Sequence, residues 1–253
     1  MSDAPLALVT GGCRRIGAAI AMRLAREGFA LALHGHRDAD PEPALAEVLT
    51  QTGIDWNGFV ADFADAQTAT GLYGEVVAQF GRAPDLLVNS ASMFGSDRLE
   101  DASAADLAVH YAVNCSAPAL LIQAFAASQG AGDRSVVNLL DQRLDQPHGD
   151  QLAYTLSKFG LAGLTRIAAR SLAPAIRVNA VAPGLTLPTD DYEAPQMKRL
   201  AAAMPLERLP AAAEIADAVL YLAQARSVTG QVLCVDGGAR FVAFERDFMH
   251  LER

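Results

Sequence analysis

The sequence predicts a doubly wound α/β domain on a seven-stranded parallel sheet. Three observations carry this: short apolar runs alternate with longer segments of helical period, a glycine-rich turn follows the first run, and no Ser/Gly/Pro-rich linker or internal repeat divides the 253 residues. Alternating strands and helices imply parallel crossovers, with helices covering both faces of the sheet. Near-continuous apolar strands suit burial from both sides.

The first strand is read at residues 6–9, Leu-Ala-Leu-Val. After Thr10-Gly-Gly-Cys-Arg-Arg-Ile-Gly17, the residues Ile16, Ile20 and Leu24 recur at helical spacing, and Gly28 falls where a C-terminal cap belongs. Further strands are read at 29–33, 58–61, 86–88, 135–139, 176–180 and 231–235. Helices are expected at 44–51, 66–80, 104–128, 152–173 and 211–223. Residues 1–253 then form a single domain, with a substrate loop at about 185–205.

Composition excludes several classes of function. With 51% hydrophobic residues the chain is not mainly disordered, and a net charge of −9 argues against a nucleic-acid or anionic-membrane binder. Cys13, Cys115 and Cys234 lack metal-ligand spacing, so no metal is expected, and their odd count reads as a reduced, intracellular protein. Cys13, beside the glycine turn, reads as a small space-filler rather than a redox switch. Residues 1–5 show no signal-peptide pattern. The uncharged stretch 107–132 holds His110, Asn114, Ser116, Pro118, Gln123 and Gln129, too polar for a span of ~20 residues in hydrocarbon. A cytoplasmic location, with neither a membrane nor a nucleic acid as partner, is the expectation.

A glycine-rich first βα turn lets backbone approach a pyrophosphate, which the next helix N-terminus attracts; the alternative is merely a tight turn. No Gly-Lys-Ser/Thr follows, so this is not a nucleotide-triphosphate loop. The second strand ends in His34-Gly-His-Arg-Asp38, where the fold faces an adenosine ribose. Arg37 flanked by His36, with Arg14 nearby, points to the 2′-phosphate of NADPH. Asp38 facing the ribose instead would favour NADH. Asp62 is placed to accept from the adenine amino group, or simply caps a helix.

Tyr154-Thr-Leu-Ser-Lys158 puts a phenol and an ammonium at i and i+4, on one helical face. The ammonium is expected to lower the phenol pKa and make Tyr154 a proton donor near neutral pH. Such a pair alone also suits surface decoration, but here it lies between the glycine turn and Asn179-Ala-Val-Ala-Pro-Gly184.

These features resemble the short-chain dehydrogenase/reductase family over residues 5–238. The matching elements are the glycine turn, Asp62, Val88-Asn-Ser-Ala-Ser92, Asn114, Tyr154 with Lys158, Pro183-Gly184, Val228-Thr-Gly230 and Val235-Asp-Gly-Gly238. The resemblance implies a Rossmann-type domain, a nicotinamide cofactor, hydride transfer and a homotetramer or homodimer with the helix near 107–125 at an interface. It implies Lys158 on the nicotinamide ribose and Asn114 ordering a proton relay. It also implies cofactor contacts from Gly11, Arg14, Arg15, Ile16, Gly17, His36, Arg37, Asp62, Phe63, Ser90, Ala91, Pro183, Gly184 and Thr186.

Departures from the family pattern narrow the substrate. Arg15 replaces the middle glycine of the turn, Ser92-Met-Phe94 ends the segment after the fourth strand, and Asp141 replaces the serine thirteen positions before Tyr154. A serine hydroxyl stabilises the oxyanion formed from a ketone, whereas an ionised Asp141 repels it and suits nitrogen donors or a C=N bond. Phe94 could stack on a flat ring, with Ser92 at its edge and Arg15 adding donors. The set resembles the pteridine reductase branch, through Arg14-Arg-Ile-Gly17, His34-Gly-His-Arg37, Ala91-Ser-Met-Phe94, and Asp141 with Gln146-Pro147.

That likeness implies NADPH-dependent reduction of a dihydropterin (dihydromonapterin, dihydrobiopterin or dihydrofolate), with Arg15, Ser92, Phe94, Asp141 and Tyr154 on the substrate. Ser90, Asp38 and Gln151 depart from the branch. The alternatives are a ketone or 3-oxoacyl reductase with Asp141 solvated and Phe94 in the core, or a non-catalytic NADPH-binding protein. Tyr192, in Thr189-Asp-Asp-Tyr-Glu193, is read as part of a lid or of a mobile acidic loop. The tail 239–253 either reaches a neighbouring subunit or caps a helix.

Overall fold

Seven parallel strands form the centre of the protein in a computed structural model that describes residues 4–130, 132–188 and 192–251. They are β1 (Leu6–Thr10), β2 (Ala30–Gly35), β3 (Trp56–Val60), β4 (Leu86–Asn89), β5 (Arg134–Leu139), β6 (Ile176–Pro183) and β7 (Val232–Val235). Their order is β3-β2-β1-β4-β5-β6-β7. The order reverses at β1, whose neighbours are β2 and β4, and such a switch point opens a crevice at the carboxyl ends of the strands.

Alternation along each strand divides the core between two faces. Val9, Leu31, Leu33 and Val88 point to α1 (Arg15–Arg26) and α8 (Ala212–Gln224), where Ile20, Leu24, Ile215 and Val219 meet them. Leu8, Leu87, Val136 and Val178 face the other way, onto α3 (Thr68–Phe80), α5 (Ala117–Ala127) and α6 (Leu152–Leu172). Both faces are covered, as the continuous apolar strands predict.

Helix ends follow the sequence signals closely. Gly28, at φ 86°, ends α1: its amide donates to Ala25 O and that of Phe29 to Leu24 O, the paired bonds of a Schellman cap. Ser103 caps α4 (Ala104–Tyr111) by accepting from Asp106 N at 3.0 Å. The helix expected at 44–51 is α2 (Pro43–Thr52).

Three expectations are corrected. The helix expected at 104–128 is α4, a π-helical turn at Ala112–Ser116, and then α5. Pro118 has no N–H for the Asn114 carbonyl, so the regular ladder cannot run through. Part of the expected 185–205 loop is a helix, α7 (Ala194–Ala203), with Pro195 in its first turn, where no amide is needed. The third strand starts two residues early and is an edge strand, with Phe59 its one buried residue. Among the described residues, the run Ala104–Ala127 is long and apolar enough to cross a membrane by length and composition alone, a test that a core helix also passes. Here it packs on the sheet through Ala117, Leu121, Ile122 and Phe125.

Candidate active site

The crevice is built first from the β1 turn. Thr10 Oγ1 accepts from the amides of Ser90 and Ala91, both at 3.0 Å, which ties the end of β1 to the loop after β4. Gly11 has φ 61°, and a Cβ on Gly17 would collide with the Gly11 carbonyl. Arg15 has φ 56°, the left-handed conformation where the resemblance expects glycine. The α1 N-terminus has no side-chain cap, and Glu42 Oε2 accepts from Arg15 N at 2.9 Å. An anion is therefore already favoured at this helix end.

His34, at the end of β2, holds the turn. Its Nε2 lies 3.0 Å from Ala61 O and must donate, so Nδ1 accepts from Gly11 N at 3.2 Å. The ring stacks on Phe63 at 4.3 Å, and burial lowers its pKa. Phe63 is thus buried against His34, which leaves only its backbone for a cofactor. Beside this turn is a cavity of about 340 Å³ lined by Gly11, Arg14, His36, Arg37 and Asp38. Arg37 is exposed there, while Arg14 is paired with Asp38 at 2.6 Å. Asp62 accepts from Ala64 N at 2.9 Å, in the turn after β3, and faces His36 Nε2 at 3.4 Å.

The second part of the crevice follows β5. Asp141 Oδ2 accepts from the Tyr154 hydroxyl at 2.8 Å, and Oδ1 from Arg143 N at 2.9 Å. Lys158 donates to Leu139 O at 2.8 Å, with Nζ 5.6 Å from the Tyr154 ring centre. The expected lowering of the phenol pKa does not hold. Burial, and then the Asp141 charge, raise Tyr154 well above the usual phenol range. Burial pushes Lys158 down to about 8.

Asn114 is fully buried by the π turn. Its side chain accepts from Met93 N at 2.7 Å and donates to Met93 O and Ser157 Oγ, both at 2.9 Å. It therefore fixes the backbone just before Phe94. Phe94 is 49% exposed and meets the Tyr154 ring edge-on at 4.8 Å, so it is not packed in the core.

Arg15, Ile16, Phe94, Asp141, Tyr154, Gly184 and Thr186 line a second cavity of about 340 Å³. Ser92 is exposed and lies outside that lining. The Arg15 guanidinium donates to Pro188 O at 3.2 Å and Leu187 O at 3.4 Å, tying the β6 loop rather than pointing free into the site. Thr186 donates to Gly184 O at 2.9 Å. Tyr192 lines the cavity, while 189–191 of its expected lid lie outside the described residues.

Sequence reasoning missed Arg143 and Asp247. Arg143 lies over the Phe94 and Tyr154 rings, 5.5 and 5.1 Å from their centres, and donates to Asp247 at 2.6 Å. The tail thus enters this chain's own site, with Phe248 and Met249 also in the lining. Arg143 comes two positions after Asp141, but nothing local announces a partner 104 residues on.

Known proteins resemble this chain along nearly its whole length. A family model described as Enoyl-(Acyl carrier protein) reductase matches residues 12–240. Pteridine reductase 1 of Leishmania tarentolae is 34% identical, over 93% of this chain and 96% of its own. The 3-oxoacyl-(acyl-carrier-protein) reductase FabG of Staphylococcus aureus is 33% identical, over 92% and 96%. The crystal structure of FolM alternative dihydrofolate reductase 1 from Brucella canis, complexed with NADP, superimposes with a TM-score of 0.87 at 36% identity over 94% of both chains. With that family match and these identities, the chain belongs to the short-chain dehydrogenase/reductase family.

Proposed function

We propose that the protein is an NADPH-dependent reductase that takes a dihydropterin, of the dihydromonapterin, dihydrobiopterin or dihydrofolate kind, to the tetrahydro form. The observation that carries this is the Asp141 carboxylate on the Tyr154 hydroxyl at 2.8 Å, beside the half-exposed Phe94 ring. The similarity to a pteridine reductase and to an NADP-complexed dihydrofolate reductase supports it.

The residues present fit the dinucleotide. A Cβ would fill the cradle at Gly17, and the α1 N-terminus already draws a carboxylate. Gly11, Arg14, Arg15, Ile16 and Gly17 would hold the pyrophosphate, and His36 with Arg37 the 2′-phosphate. Asp62 and the Phe63 backbone would take the adenine, and Ser90, Ala91, Lys158, Pro183, Gly184 and Thr186 the nicotinamide end. Bound there, NADPH supplies a hydride.

The chain's own residues handle the proton and the ring. Tyr154 keeps its proton through neutral pH because burial and Asp141 disfavour the phenolate. It gives that proton up as a ring nitrogen gains electron density, and the buried Lys158 charge offsets the phenolate left behind. Asp141 accepts from donor nitrogens of the heterocycle, and Phe94 offers its exposed face. Asn114 holds the segment that carries Phe94.

A ketone fares worse. Its oxyanion would form at the Tyr154 hydroxyl, beside a carboxylate, and two unit charges ~4 Å apart repel by about 4 kcal/mol at an effective dielectric of about 20. The similarity to FabG keeps a 3-oxoacyl substrate as the competing reading. Steady-state assays with NADPH on dihydropterins and on ketones decide between them; turnover of ketones alone overturns the proposal. Asp141→Ser should lower dihydropterin kcat/KM by about 100- to 10,000-fold while leaving NADPH affinity near its original value. An unchanged dihydropterin rate would remove Asp141 from the mechanism.

The segment 185–205, which contains α7, serves the substrate side within one domain spanning 1–253. The protein works in the cytoplasm as a homodimer or homotetramer, without nucleic-acid or membrane partners.

A further inference from the structure

We propose that Asp247, carried in by the C-terminal tail, is a positioning residue: it fixes the Arg143 guanidinium beside Asp141 and so sets how readily that carboxylate takes a proton. This rests on Asp141 being the carboxylate that serves the substrate.

The geometry is a buried chain of charges. The side chains of Arg143 and Asp247 are only 6% and 4% exposed. The guanidinium donates to Asp247 Oδ2 at 2.6 Å and to Gln151 Oε1 at 3.0 Å. Its Nε lies 3.5 Å from Asp141 Oδ1, the oxygen that also accepts from Arg143 N. The Arg143 backbone amide therefore holds Oδ1 and leaves Oδ2 to the Tyr154 hydroxyl, while the guanidinium acts on Asp141 through its charge, with no hydrogen bond from Nε.

The tail is fastened so that Asp247 stays in place. Asp247 N donates to Asp150 Oδ2 at 3.0 Å, and its own Oδ1 accepts from Met249 N at 2.9 Å. Asp150 is held by Arg98 at 2.7 Å and Arg246 at 3.3 Å. From α7, Gln196 donates to Leu251 O at 2.7 Å. A tail that only filled space would not require an acid buried on an arginine.

One cation between two carboxylates makes the arrangement a divider of charge. If Asp247 loses its charge, the guanidinium acts on Asp141 alone and favours its ionised form. If Arg143 loses its charge, Asp141 is left with Asp247 as an unscreened like-charged neighbour and its ionised form is disfavoured. The other groups facing the cluster are Tyr154 and Lys158 from α6, and His148 and Asp150 from the segment before it. On the far side Asp145 is paired with Arg240 at 3.8 Å. His148 Nε2 is 3.9 Å from Asp247, and burial holds its pKa down.

The test follows Asp141 directly, by carboxyl carbon NMR of the full chain labelled at aspartate, with Asp141→Asn identifying the resonance. Asp247→Asn is expected to lower the Asp141 titration midpoint and Arg143→Met to raise it, each by about 1 pH unit or more. Arg143→Lys keeps the charge and should restore most of the original value. A purely structural tail would cost stability without opposite shifts. Asp247→Asn is nearly isosteric, so it still decides the matter if Arg143→Met fails to fold. A midpoint unmoved or raised in folded Asp247→Asn overturns the proposal. Dihydropterin turnover by the unaltered enzyme is measured separately; its absence overturns the substrate reading, while the titration still judges the tail.

Discussion

Selectivity at the cofactor end rests on single side chains. Arg37 is exposed on the cavity wall, whereas Arg14 is already committed to Asp38 at 2.6 Å. A 2′-phosphate therefore finds Arg37 ready and must compete with Asp38 for Arg14. Hydrogen bonds to charged groups contribute about 1.5–3 kcal/mol, so Arg37→Ala should cut the preference for NADPH over NADH by about tenfold or more. Calorimetric titration of both cofactors checks it, and an unchanged affinity ratio would reject Arg37 as the phosphate contact. At this scale chemistry was legible where residue type alone is eloquent: a carboxylate in a serine position, a tyrosine four residues before a lysine. Arg143 and Asp247 were not legible, because their pairing spans 104 positions and follows no local period. The direction of the Tyr154 shift departs from the expectation for another reason. The i+4 lysine is visible in sequence, whereas full burial and the Asp141 contact are products of the fold.

Strands and most helices declared themselves through period and caps, as Gly28 does for α1. The elements missed are those whose signals oppose each other. Pro195 and a polar run hid α7, and the break at Pro118 lies inside an otherwise unbroken helical pattern. The tip of β2 shows how one buried group joins elements, since His34 links the β1 turn to the end of β3. Burial lowers the His34 pKa, so the folded chain resists protonating it. The stability it confers is present in full above the unfolded value of about 6.5 and is lost as pH falls from there through the lowered folded value. Protonation would also turn Nδ1 into a donor facing the Gly11 N–H. His34→Gln should therefore flatten the loss of Tm between about pH 7 and pH 5, while lowering Tm at neutral pH by removing a buried partner. Thermal melts across that range decide it; parallel curves would show that other groups carry the acid sensitivity.

For the whole molecule, the seven parallel strands and both buried faces were legible, since alternating strands and helices imply parallel crossovers, whereas the strand order came only with the fold. What the chain leaves outside is as informative as its core. Tyr111 on α4 and Leu156, Phe159 and Ile167 on α6 are 50%, 48%, 42% and 66% exposed. Leu156, Phe159 and Ile167 recur at helical spacing along one side of α6, so they form a stripe rather than scattered apolar residues. Gly160, which carries no side chain, lets Tyr111 and Cys115 pack closely between the two helices. A stripe of this kind beside the site suits self-association, which would also brace α6 and hence the Tyr154–Lys158 face. Leu156→Glu with Ile167→Glu should dissociate the assembly, since a buried unpaired charge in an interface costs several kcal/mol. Analytical ultracentrifugation of the original and altered chains measures this. A monomer before substitution would overturn self-association altogether, and an unchanged mass after it would place the contact elsewhere. If dissociation occurs and dihydropterin kcat falls with it, α6 depends on a second copy for its catalytic geometry; a retained kcat would show that one chain is sufficient.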